Sequence, residues 1–282
     1  MKPGNLVGPI LLAAAVLAVG YLAWRHYGQP EAPETAPAAD AGPVAAAPQF
    51  PIEAVADEAG PEPAEPLPPL AESDAATRSA IAALLGQDQA PAQVVGEQLI
   101  ERIVVSVDNL PSGRLPLRAL PLRLAPGRFR VTASESGATV IDPGNFARYD
   151  EYVAMIEAVD VGALVDQYVR AYPLFQEAYR GLGYPDGHFN DRLVAVLDHL
   201  LATPTPAQPI VVVPEKDGYT YADPALAALS SGQKLLIRIG PDHAATIKAK
   251  LRELRAALAG ETRLDAEPAA DDPGTAEQTA GG

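Results

Sequence analysis

Cysteine is absent from the 282 residues, which excludes disulfides, thiolate nucleophiles and cysteine-ligated metals but leaves the redox character of the compartment open. Basic residues are missing over a long interval. No Lys or Arg lies between Arg25 and Arg78, and Glu31 to Asp74 carries ten acidic side chains with none of opposite sign. Familiar catalytic patterns are also missing: there is no H-E-x-x-H, no facial triad, and neither Ser230 nor Ser231 stands in a nucleophile elbow. No internal repeat is apparent, which excludes a solenoid or propeller. The sequence implies no cofactor and no metal.

What is present begins with Leu6 to Trp24, a run without a charged side chain. At 1.5 Å of rise per residue it reaches roughly 28 Å, near the thickness of a bilayer's hydrocarbon core. Trp24 and Tyr27 suit the headgroup boundary and Arg25 can snorkel into it, so a retained anchor is expected rather than a cleaved signal peptide. The charges on the two flanks nearly balance. The short amino tail and the absence of basic residues after Arg25 favour an inner-membrane protein with its amino end in the cytoplasm and its body in the periplasm.

Four regions follow: an anchor over 1–28, an acidic Pro/Ala-rich tether over 29–73, a body over 74–264 and an acidic tail over 265–282. The tether and tail are too poor in apolar residues to offset chain entropy and are expected to be disordered. A flexible coil of the tether's length spans about 36 Å and an extended polyproline helix on the order of 130 Å. The formal charge of −15 is concentrated in these ends, leaving the body closer to neutral.

Periodicity makes the body mainly helical, an orthogonal helical domain with two minor hairpins. Helices are expected over 74–85, 91–107, 146–158, 160–182 (kinked or divided at Pro173), 190–202, 224–238 and 241–258. Hairpins are expected from 129–132 with 139–141, and from 210–213 with 218–221.

Several groups of residues are candidates for function. Between Leu110 and Arg130, prolines recur every five residues and Arg114, Arg118, Arg123, Arg128 and Arg130 interleave without an acid. Guanidinium forks on such an extended arm suit carboxylates or phosphates. The bland alternative is a strap whose leucines enter the core and whose arginines pair locally. A third option is that the acidic tether folds back on the arm. Tyr168 and Tyr172, with Phe175 and Tyr179, form one helical stripe, read either as core or as a tyrosine-lined groove. Asp191 is expected to cap its helix and His199 to stand half-exposed, although His188, Asp191, Asp198 and His199 also permit an acid–base or metal site. Ser231 is expected as a helix N-cap. The turn at Gly240, with Lys248, Lys250, Arg252 and Arg255 on the last helix, superficially resembles a phosphate-gripping hairpin, but Arg238 stands where a glycine is needed.

Arg148-Tyr149-Asp150-Glu151-Tyr152-Val153, Tyr172-Pro173-Leu174, Leu182-Gly183-Tyr184-Pro185, Phe189-Asn190-Asp191-Arg192-Leu193, Asp198-His199-Leu200-Leu201-Ala202, Ala222-Asp223-Pro224 and Gly232-Gln233-Lys234 together resemble the bacterial domain of unknown function 3014. The resemblance spans roughly Leu115 to Leu258. It implies an envelope protein with an amino-terminal span and a variable linker, and brings no activity, ligand or catalytic residue. The expectation is therefore a membrane-anchored binding or scaffolding domain with an envelope protein partner. The candidate binding residues are the five arm arginines with Tyr168 and Tyr172. Two rivals stand beside it: an enzyme or ligand-binding module acting on envelope glycan or lipid through the His188–His199 helix, and a cytoplasm-facing nucleic-acid binder. The oligomeric state is not legible.

Overall fold

A computed structural model describes residues 47–56, 66–85, 94, 97–116, 119–121, 127–216 and 218–260. The apolar run Leu6 to Trp24 lies outside these residues, as do Arg118 and Arg123 of the arm. Among the described residues no helix is long and apolar enough to cross a membrane.

Nine α-helices are described: α1 (Ile52–Ala56), α2 (Asp74–Leu85), α3 (Leu99–Asn109), α4 (Asp150–Glu157), α5 (Val161–Gly181), α6 (Phe189–Leu201), α7 (Pro224–Ala227), α8 (Ser231–Arg238) and α9 (Pro241–Leu258). Two antiparallel two-stranded sheets complete the mainly helical fold: β1 (Val131–Ala133) with β2 (Thr139–Ile141), and β3 (Val212–Glu215) with β4 (Gly218–Tyr221). Val131 faces Ile141 in the first and Val212 faces Tyr221 in the second. A bridge between Val140 and Val211, with Ile141 N donating to Ile210 O at 3.1 Å, joins the hairpins edge to edge.

The main core lies where α3, α5, α6 and α9 meet. On α3 the buried positions Leu99, Ile100, Ile103, Val104 and Val107 recur at helical spacing, as do Ile247, Leu251, Leu254 and Leu258 on α9. Each such side chain withdrawn from water contributes roughly 1.5–3 kcal/mol. A smaller cluster of Ile141, Ile210, Val212, Tyr221, Leu226 and Ile237 sits beneath the hairpins. Arg238 is buried there with its guanidinium 5.7 Å from the Phe129 ring and 5.4 Å from that of Tyr221, a cation–π arrangement that makes a charged residue tolerable.

Several boundaries differ from the sequence reading. Helix α3 starts at Leu99 rather than Pro91, because Gln98 takes a left-handed φ of 57° and the Asp74 carboxylate grips the N–H groups of Gln98 and Leu99 at 2.9 and 2.8 Å. Helix α5 runs unbroken through Pro173. Leu164, Tyr168 and Ala171 before the proline, and Leu174, Phe175 and Tyr179 after it, are all buried, and that burial offsets the cost of about 3 kcal/mol for an interior proline. The expected single helix over 224–238 is two. Ser230, not Ser231, caps the second, accepting from Gln233 N at 3.2 Å while Gln233 Oε1 accepts from Ser230 N at 3.3 Å. The start of the expected 146–158 helix is a 3-10 turn, Pro143–Tyr149, opened by Asp142.

The expectation of disorder across 29–73 is corrected for 47–56 and 66–73. Phe50, Ile52, Val55, Leu67 and Leu70 all pack against the main core. The Pro/Ala composition of the surrounding stretch conceals these few apolar anchors.

Candidate functional site

The Phe189 end of α6 is organised from α5. Gln176, buried on α5, accepts from Phe189 N at 2.9 Å and donates to Gly187 O at 2.7 Å, fixing the chain that leads into the helix. Tyr172 donates its hydroxyl to the same Gln176 oxygen at 2.9 Å. Beneath lies an aromatic stack: Phe175 and Phe189 are parallel within 9° at 5.7 Å, and Tyr168 meets Tyr172 edge-on at 5.7 Å.

On this platform the first turn of α6 holds another piece of the chain. Asp191 Oδ2 accepts from Gln49 N at 2.9 Å and Oδ1 from Phe50 N at 2.7 Å. Asn190 Nδ2 donates to Phe50 O at 2.8 Å and to Leu258 O at 3.2 Å, tying the segment to the end of α9. Arg255, held by Asp198 at 3.0 Å, places its guanidinium 6.0 Å from the centre of the Phe50 ring. Helix α1 then runs on with Ile52 and Val55 against the core. Asp191 is thus not the cap of its own helix; His188 occupies that position, and its side chain makes no capping bond to the helix. The sequence signal was available in Phe50-Pro51-Ile52, three apolar residues inside an acidic Pro/Ala run.

Of the candidate tyrosines, Tyr168 is fully buried and Tyr172 half-buried. Burial pushes both phenols above their ordinary value of 10.0; for Tyr172 the Asn190 N–H opposes the rise and the charges of Asp191 and Glu53 add to it. The Tyr168 hydroxyl is buried without a hydrogen-bond partner among the described residues.

The arm is fastened along its described length. Leu115 and Leu120 are buried, and Ser106 Oγ donates to Ala119 O at 3.2 Å. At one end Ser231 N donates to Ser112 O at 2.8 Å and Gly232 N to Leu110 O at 3.0 Å. At the other, Arg148 donates to the carbonyls of Arg128 and Gly127 at 3.1 and 3.2 Å. Arg114, Arg128 and Arg130 are all exposed, and Arg130 pairs with Asp142 at 3.1 Å. The two tyrosines belong to a separate cluster.

The remaining candidates have structural partners. His199, half-exposed, places Nε2 2.8 Å from Ser230 Oγ, and Gln233 Nε2 donates to its carbonyl at 3.2 Å. The pair resembles a nucleophile with its base, but Ser230 is buried at a helix start with Oγ accepting a backbone N–H, which is the geometry of a cap. Burial first, and the Arg192 charge second, lower the His199 pKa from 6.5. Among the described residues no three His, Asp or Glu side chains converge as a metal-binding group. Gly240, at φ 98°, is required by packing: a Cβ there would lie 2.7 Å from the Phe146 ring. Lys248 donates to Thr203 O and Lys250 pairs with Glu253 at 3.1 Å, which occupies part of the basic face of α9.

A cluster the sequence reading missed joins α3 to α6. Arg192 donates through Nε to Asp108 Oδ1 at 2.8 Å and through Nη2 to Asp108 O at 2.7 Å, and Tyr184, stacked on Tyr179 at 4.6 Å, reaches Asp108 Oδ2 at 3.3 Å.

A family model described as a protein of unknown function (DUF3014) matches residues 99–255. It begins at α3, before the Leu115 start of the resemblance noted above. No curated protein and no solved structure matches the chain.

Proposed function

The chain belongs to the DUF3014 family, and from that premise we propose a single-pass inner-membrane protein whose acidic tether presents a helical, non-catalytic binding or scaffolding domain to the periplasm. One observation carries the binding reading: Asp191, the acid at the centre of the candidate catalytic cluster, uses both oxygens to hold peptide backbone. Its neighbours do similar work, with Asn190 on a carbonyl, Asp198 on Arg255 and His199 at a helix cap. These contacts weigh against the rival enzyme, whose acid–base groups would have to face substrate. Packing of Gly240 on Phe146 weighs against the nucleic-acid reading.

The membrane part rests on the uncharged run Leu6 to Trp24. An anchor confines the domain near the bilayer and raises its effective concentration for an envelope protein partner, with the exposed arm arginines as one contact surface. Carboxyl-terminal fusions test the orientation. A reporter active only in the periplasm is expected to give signal and one active only in the cytoplasm none; the reverse would favour the nucleic-acid binder.

A further inference from the structure

We propose that the surface formed by Asn190, Asp191 and Arg255 is a peptide-binding site for an aromatic–proline–aliphatic segment, filled here by the chain's own Phe50-Pro51-Ile52 and open to exchange for the same motif in a partner protein. The chemistry is that of peptide recognition. A carboxylate at the start of a helix takes two successive N–H groups, and an amide side chain takes the next carbonyl; these contacts read backbone and fix direction. Side chains supply the selectivity. Phe50 lies against the Arg255 guanidinium, and Ile52 and Val55 pack on the core. Pro51 has no N–H to satisfy where the chain turns into α1, and its carbonyl accepts from Ala54 N at 3.1 Å.

The occupant stands apart from what it occupies. Asn190, Asp191 and Arg255 all fall within the family match over 99–255, whereas Gln49–Ala56 falls outside it. Residues 57–65 connect the segment to the body, and so short a connection holds it at an effective concentration on the order of mM. A partner peptide succeeds only at comparable concentration or when the resident segment is withdrawn, so the site is self-covered at rest. Withdrawal also lengthens the tether. This inference rests on the body being a binding module, but its test uses the full chain in detergent, so an error about the membrane or the partner leaves its outcome unaffected.

The probe is a fluorescent peptide of residues 47–56, titrated by anisotropy into three full-length chains: wild type, F50A/I52A, and F50A/I52A/D191A. The double variant is expected to bind about tenfold more tightly than wild type, and D191A to remove about tenfold of that affinity. A double variant that keeps its helical signal and thermal transition yet ignores the peptide overturns the proposal, as does binding indifferent to D191A. Should the double variant unfold, hydrogen exchange of wild type decides. Unlabelled peptide at several mM is expected to speed exchange at the Gln49 and Phe50 amides, and unchanged protection there counts against the site.

Discussion

Gly232 illustrates how little room some positions leave. A Cβ added there would lie 2.6 Å from Leu200 Cδ2 on α6 and 3.1 Å from the Leu110 carbonyl, so G232A crowds α8 against both α6 and the arm. A loss of about 1–3 kcal/mol is expected, seen as a lower midpoint in chemical denaturation. His199 gives a pH dependence of definite sign. Its pKa in the folded chain is lowered from 6.5, so the unfolded chain binds the proton more readily. The stability this neutral imidazole contributes is present above pH 6.5 and is lost as pH falls through the folded-state value. Thermal midpoints measured from pH 7.5 down to about pH 5 are expected to fall less steeply in H199Q than in wild type. Asp191 works through two charge-assisted bonds, and D191A is expected to cost about 2 kcal/mol while exposing the Gln49 and Phe50 amides to exchange.

Helix α1 and the arm are both straps, held by different means. The segment that leads into and includes α1 is fastened by bonds to the backbone of Gln49 and Phe50 and by the apolar side chains of Phe50, Ile52 and Val55, the arm by leucines and by bonds to its carbonyls at both ends. Replacing the arm arginines by glutamine is therefore expected to weaken capture of a crosslinked partner without loss of helical signal, since Arg114 and Arg128 are exposed and Arg130 pairs at the surface. Loss of circular dichroism in that variant would mark the arginines as structural. The sequence made the helices legible wherever apolar residues recur at a single period: α9 begins at Pro241 and ends at Leu258 as read, and β2 and β4 lie where expected. It misled where a distant side chain sets a boundary. Asp74 starts α3 from another helix, and nothing local to Pro91–Gln98 announces it. Pro173 misled in the opposite sense, because its local penalty is visible in sequence and the burial on either side is not. The candidate site was legible in part. Tyr172 and Asp191 were singled out, but the segment that Asp191 holds lies well over a hundred positions away, and a polar composition masked its anchors.

The full chain combines an expected anchor, a tether and a body onto which part of that tether is docked. With the docked stretch counted with the body, the expected tether shortens from 29–73 to 29–46, and a flexible coil of that length would span about 24 Å. The docked stretch contacts α5, α6 and α9 rather than the arginine arm. Its own backbone is held by direct short bonds to the Asp191 and Asn190 side chains and its packing is apolar, so raising salt is expected to leave them in place. Small-angle scattering of the chain in detergent is expected to change more on F50A/I52A than on adding salt; a large salt-induced expansion with the segment still protected would instead support pairing of the acidic stretch with the arm. The central claim is that all of this is leashed to a membrane through Leu6 to Trp24. Cell fractionation followed by an alkaline carbonate wash and mass spectrometry of the amino terminus tests it directly. The account predicts a chain that stays in the washed membrane pellet with residues 6–24 intact. A soluble chain that lacks them, or one freely dispersed with them still present, would contradict it.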